Sequence, residues 1–221
     1  MKKLAAVLLL TPLYAFAGAT LSLSAEAKIQ VPNDEMVVNL AITREGADAT
    51  PLTDAVLITL NNAIKEATLT AGVQAKLGSV WTYPTWSSGQ KTGWQVRGDI
   101  LLTSLDMKAL ATLTGRLTQK LQITNVYFRL SNIRKDKEEK ALLTVVAANF
   151  KQKALATATA FGYPRYEIKE LTVGQNNSGG MPSPMAMMST TRADKSMANL
   201  PIEGGDSEVS VFVTGLVSLG D

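Results

Sequence analysis

Over residues 20–31 apolar and polar side chains alternate without a break. Leu21, Leu23, Ala25, Ala27, Ile29 and Val31 fall in one phase, and Thr20, Ser22, Ser24, Glu26, Lys28 and Gln30 in the other. Successive strand side chains point to opposite faces, so the pattern predicts a β-strand with one dry face. Pro32-Asn33-Asp34 supplies turn chemistry, and Met36, Val38, Leu40 and Ile42 keep the period of two, so the two runs read as a β-hairpin. The period then changes. Thr50 reads as a helix cap with Pro51 at the first helical position, and Leu52, Val56, Leu60 and Ile64 recur every four residues until Gly72.

A second hairpin is expected, with arms near residues 77–86 and 94–103, a turn at Ser87-Ser88-Gly89-Gln90, and clear alternation in Trp94, Val96, Ile100 and Leu102. Asp106 is placed to cap a short helix carrying Leu110, Leu113, Leu117 and Leu121, and Val126, Phe128 and Leu130 predict the next strand. From Met36 to Leu130 the order is βαββαβ, the ferredoxin-like order in which two helices cover one face of an antiparallel sheet. A helix of about 28 residues, roughly 42 Å, follows Ser131. Its expected buried stripe is Leu143, Ala147, Phe150, Ala154, Ala158 and Phe161, and Gly162-Tyr163-Pro164 stops it. Tyr166 and Ile168 then lie in one strand phase and Leu171 and Val173 in the other, which predicts a bulge near Lys169 and Glu170. Residues 174–205 turn to Asn, Ser, Gly, Pro and Met and read as a long loop, after which Val209, Val211, Val213, Val217 and Leu219 restore a strand. The fold class expected is α+β: antiparallel sheets with helices on one face, including the βαββαβ order, plus a long helix and C-terminal strands.

The first residues carry an address. Lys2 and Lys3 precede an apolar run over residues 4–10 that ends in Ala15-Phe16-Ala17, the pattern of a secretory signal peptide cut between Ala17 and Gly18. Residues 1–17 are then leader, and residues 18–221 form one domain or two packed lobes, 18–131 and 132–221, with the Met/Pro/Gly-rich loop 174–205 in the second. No later segment has 18 consecutive apolar residues, so no transmembrane segment is expected after cleavage. The location expected is the periplasm, with association to the outer membrane left open.

Charge and composition narrow the chemistry. Removing Lys2 and Lys3 takes the net charge from +3 (22 basic against 19 acidic) to about +1, and no basic stripe remains to contact phosphates, so no nucleic-acid partner is expected. The chain has no cysteine and no histidine. It therefore lacks disulfides, the commonest general base and every Ser-His or Cys-His nucleophile pair. Glu138 and Glu139 lie among Lys135, Lys137 and Lys140 and read as a solvated helix start. No catalytic residue, no enzyme activity and no cofactor are expected.

Two groups of residues stand as binding candidates. All three tryptophans fall on the second hairpin, where Trp81, Tyr83 and Trp86 either pack across strands or form a platform for a sugar ring, a peptide or another subunit. Met181, Met185, Met187 and Met188 lie close together in the loop. Thioethers are soft ligands suited to Cu(I), although the same side chains also pack adaptively.

Several local sequences resemble the bacterial SIMPL-domain family. They are Val80-Trp81-Thr82-Tyr83-Pro84-Thr85 leading to Gly93-Trp94-Gln95-Val96, the helix end Lys153-Ala154-Leu155-Ala156-Thr157-Ala158-Thr159-Ala160-Phe161-Gly162, and Leu200-Pro201-Ile202-Glu203-Gly204-Gly205 before Val209-Ser210-Val211. The resemblance implies an exported envelope protein, often linked to defence against oxidative stress, with some members building ring-like or channel-like assemblies. A homo-oligomer with envelope protein partners is the expectation. The long first strand agrees with it, because an unpaired strand edge invites a partner.

Overall fold

The computed structural model describes residues 19–175 and 204–220. Their elements in order are β1 (Thr20–Pro32), β2 (Glu35–Gly46), α1 (Ala49–Thr68), β3 (Val73–Ser87), β4 (Gln90–Ser104), α2 (Met107–Leu117), β5 (Gln122–Arg129), α3 (Asn132–Ala160), β6 (Arg165–Gln175) and β7 (Asp206–Gly220). They form a three-stranded sheet in the order β1-β7-β6 and a four-stranded sheet in the order β3-β4-β2-β5. The fold is α+β.

The chain divides into two compact units, whose described parts are residues 28–142 with 204–210, and residues 19–27 with 143–175 and 211–220. The division is interleaved, because β1, α3 and β7 each continue from one unit into the other. In the first unit β2, α1, β3, β4, α2 and β5 build the expected βαββαβ motif, with β2 antiparallel to both β4 and β5 and β3 antiparallel to β4. One face of this sheet is dry. Met36, Val38, Leu40 and Ile42 of β2 and Val96, Ile100 and Leu102 of β4 meet Val56, Leu60, Ala63 and Ala67 of α1 and Leu110, Leu113 and Leu117 of α2. Asp106 caps α2 as its side chain predicts, accepting the Ala109 N–H at 2.9 Å.

In the second unit β7 pairs with β6, and the register slips between Ile168 and Glu170, which is the bulge that the change of phase predicts. Helix α3 lies against this sheet: a Cβ on Gly215 would sit 2.8 Å from Cζ of Phe150, and Lys153 Nζ donates to the Ser24 carbonyl at 2.8 Å.

Four expectations are corrected. The runs β1 and β2 do not form a hairpin, since they belong to different sheets. Their junction is held by distant segments instead: the Asn33 amide donates to Gly205 O at 3.0 Å and its side-chain Nδ2 to Gly204 O at 2.8 Å, while Asp34 accepts from the Ser131 N–H at 2.6 Å and from the Ser131 hydroxyl at 2.8 Å. Helix α1 starts one residue before Thr50, with Asp48 at the cap position and no side-chain capping bond, so Pro51 is third in the helix. Proline is tolerated there because the first-turn amides have no intrahelical acceptor. On α3 the buried row is Leu142, Val146, Phe150, Ala154 and Ala158, whereas Leu143 and Phe161 are exposed. Glu139 is buried beside Lys135, 3.7 Å away, rather than solvated.

Candidate functional site

The β3–β4 hairpin closes through two residues, Ser88 (φ 49°) and Gly89 (φ 81°), with Ser87 opposite Gln90. Positive φ at both turn positions gives a type I′ turn, whose twist matches that of paired strands. Along β3, Ala75 and Leu77 oppose Leu102 and Ile100 on the helix-covered face. The register then slips between Leu77 and Val80, so that Val80, not residue 79, opposes Gly98 on that face. Gly78 at the bulge leaves room for the Asp99 side chain, whose carboxylate a Cβ there would meet, and Asp99 Oδ1 accepts the Ser79 N–H at 3.2 Å.

The slip decides where the aromatic residues point. Val80, Thr82 and Pro84 now share the helix-covered phase with Val96 and Trp94, and Trp81 and Tyr83 turn to the opposite face. There the two rings lie with centroids 6.5 Å apart and planes within 11° of parallel, and they are 55% and 49% exposed. Trp86 follows a second slip, in which Thr92 is the extra residue of β4, and Trp86 pairs with Lys91. Two residues after Pro84 on β3, Trp86 keeps the phase of Pro84, away from Trp81 and Tyr83. Lys91 lies in the same phase, its ammonium 3.6 Å from the centre of the Trp94 ring, a cation–π contact that holds the end of the hairpin. Of the three residues singled out by sequence, Trp81 and Tyr83 therefore converge and Trp86 does not.

Cross-strand register supplies companions that the alternation of β3 alone does not reveal. Trp81 opposes Arg97, which opposes Thr43 of β2; Tyr83 opposes Gln95, which opposes Glu45. Gln95 Nε2 donates to Glu45 Oε1 at 2.5 Å. Arg97 is exposed, and its side chain makes no hydrogen bond or ion pair among the described residues. Together the face presents two parallel π-systems bordered by an available guanidinium, an amide, a carboxylate and a hydroxyl.

The other candidates fall elsewhere. Ala17 and Gly18 of the cleavage site, and Met181, Met185, Met187 and Met188, lie outside the described residues. Among the described residues no group of three or more His, Cys, Asp or Glu is arranged to hold a metal ion. Gly205 (φ 64°) and Gly204, whose Cβ would lie 3.3 Å from Asn33 O, give a physical reason for the two glycines ahead of the last strand: they let the chain pass Asn33 closely enough to accept its two donors.

No relative among curated proteins is found by similarity. A family model described as "SIMPL: Protein of unknown function (DUF541)" matches residues 21–216, from the second residue of β1 into the second half of β7. With the match covering both sheets and all three helices, the chain belongs to the SIMPL family.

Proposed function

We propose that this chain is exported, loses residues 1–17, and works in the periplasm as a non-catalytic protein that assembles with copies of itself and with envelope partners, serving envelope or oxidative-stress homeostasis. The observation that carries the assembly is the outer strand of the three-stranded sheet. Among the described residues strand β6 has β7 on one side only, and in its second half Leu171 and Val173 are 49% and 53% exposed in one phase. An edge strand offers unpaired N–H and C=O groups, and two neighbouring apolar side chains beside them add surface that a partner strand would cover. Two copies pairing through β6 about a two-fold axis would join two three-stranded sheets into one. The charges that guard such edges, Glu167, Lys169 and Glu170, lie before or at the bulge and leave the second half unguarded. The absence of His and Cys from the sequence supports a reading without catalysis, and no described helix is long and apolar enough to cross a membrane.

Native mass measurement of the protein isolated from its own cell envelope tests the reading. The expected result is a chain beginning at Gly18 in a complex of two or more copies, which the double substitution Leu171→Lys, Val173→Lys reduces to single chains with an unchanged circular dichroism spectrum. A chain retaining residues 1–17, or a parent protein that is a single copy at micromolar concentration, would overturn it.

A further inference from the structure

We propose that the face around Trp81 and Tyr83, opposite the one that α1 and α2 cover, binds a neutral polysaccharide whose pyranose rings are equatorially linked. The inference is separate from assembly through β6 and rests on residues of β2, β3 and β4 alone.

A pyranose with equatorial substituents is apolar on its two faces, where only C–H bonds project, and polar around its rim. Its faces suit the negative face of an aromatic ring, and its rim needs donors and acceptors beside that ring. Trp81 and Tyr83 form a stacked pair, with centroids 6.5 Å apart and planes within 11° of parallel, and each ring is about half exposed. An equatorial link leaves both pyranose faces free of oxygen and able to lie against an aromatic face, whereas an axial link places an oxygen on one of them.

The border chemistry fits the same ligand. Arg97 brings donors that no described residue engages, and Glu45 and Gln95 bring acceptors, so hydroxyl groups, which both donate and accept, are served from the two strands beside the rings. The charges of Arg97 and Glu45 are opposite, which favours a neutral ligand over a phosphate or an amine. A second protein is the poorer occupant. The core of a protein interface is depleted of charge, yet the cross-strand neighbours of these rings are Arg97, Gln95, Thr43 and Glu45. The platform is also fixed in advance by a type I′ turn and two bulges, so little freedom is lost on binding.

Titration of the mature protein with the β-1,4-linked tetramer of N-acetylglucosamine, followed by tryptophan fluorescence and calorimetry, tests the proposal. The α-1,4-linked glucose tetramer is the control. The expected result is saturable binding of the β-linked probe, weakened about tenfold by Trp81→Ala and by Tyr83→Ala, restored by Trp81→Phe, and unchanged by Trp86→Ala on the opposite face. Absence of saturable binding, equal binding of the α-linked probe, or equal loss in Trp86→Ala would overturn it. So would a change of oligomeric state in Trp81→Ala without any sugar binding by the parent, which would make the face a protein interface. Because the β6 substitutions lie elsewhere, failure of sugar binding and failure of assembly are read independently.

Discussion

Gly98 offers a quantitative check on the packing that positions the hairpin. It opposes Ile42 on one side and Val80 on the other, on the face that α1 covers. A Cβ at this position would lie 2.6 Å from Cδ1 of Leu60 and 2.8 Å from Cγ1 of Val56, both fully buried. Carbon atoms at rest are about 3.5–4.0 Å apart, so Gly98→Ala must push α1 outward or drive two core side chains off their rotamers. Overpacking of this kind costs about 1–3 kcal/mol. In a protein of this size each kcal/mol lowers the melting temperature by about 2–4 °C.

Gly115 is the natural contrast. It lies in α2 with nothing within 4 Å of a built Cβ, so the same change to Ala removes a poor helix former without a clash and should stabilise by about 0.5–1 kcal/mol. Leu60→Val removes the atom nearest the new methyl group, at a cost of about 1 kcal/mol on its own. Combined with Gly98→Ala it should therefore destabilise by less than the sum of the two, with a coupling of at least about 0.5 kcal/mol. Tryptophan fluorescence during urea unfolding is a suitable probe, since Trp81, Trp86 and Trp94 all lie on β3 and β4. A Gly98→Ala protein as stable as the parent, or strictly additive effects of Gly98→Ala and Leu60→Val, would refute the account of how α1 is seated.

Asp34→Ala should cost about 1–3 kcal/mol, because it leaves the partly buried Ser131 N–H and hydroxyl without their acceptor, and Asp34→Asn should recover part of the loss; urea midpoints at unchanged m-value measure both. At the hairpin turn, Gly89→Ala forces a side chain into φ 81° and should destabilise by about 1 kcal/mol, whereas Ser88→Asn creates the Asn-Gly pair that type I′ turns favour and should stabilise by about 0.5 kcal/mol; thermal melts in which both changes move stability the same way would contradict the turn assignment.

Much of the fold was legible because alternation and helical spacing report which face of an element is dry. The βαββαβ order, the cap at Asp106 and the bulge at Lys169 and Glu170 all follow from such local signals. What alternation does not report is which strand a dry-faced strand pairs with. The run over residues 20–31 looks like half of a hairpin, and the bonds that hold the junction instead join Asn33 to Gly204, 171 residues away, and Asp34 to Ser131, 97 residues away. The stripe on α3 failed for a narrower reason. The expected and observed rows share Phe150, Ala154 and Ala158, and between them the sequence offers Leu142 or Leu143 and Val146 or Ala147 with nothing local to choose. The choice is made by what the helix meets.

The candidate site shows the same boundary between local and distant signals. Counting in twos from Leu77 places Trp81 and Tyr83 on the helix-covered face, where Val56 and Leu60 already leave no room for a methyl group on Gly98. Gly78 is the readable sign that the count can slip, since a glycine leaves room for the Asp99 carboxylate that accepts the Ser79 N–H. Once the slip is made, the two rings turn outward and Val80 takes the place beneath α1. The identities of their companions, Arg97, Gln95 and Glu45, depend further on the register of β2 against β4, which is fixed by the core beneath rather than by the hairpin itself. The exposed aromatic face is thus a consequence of the buried one: the close seat of α1 on Gly98 excludes large rings from beneath it, and the bulge at Gly78 delivers them to the other side.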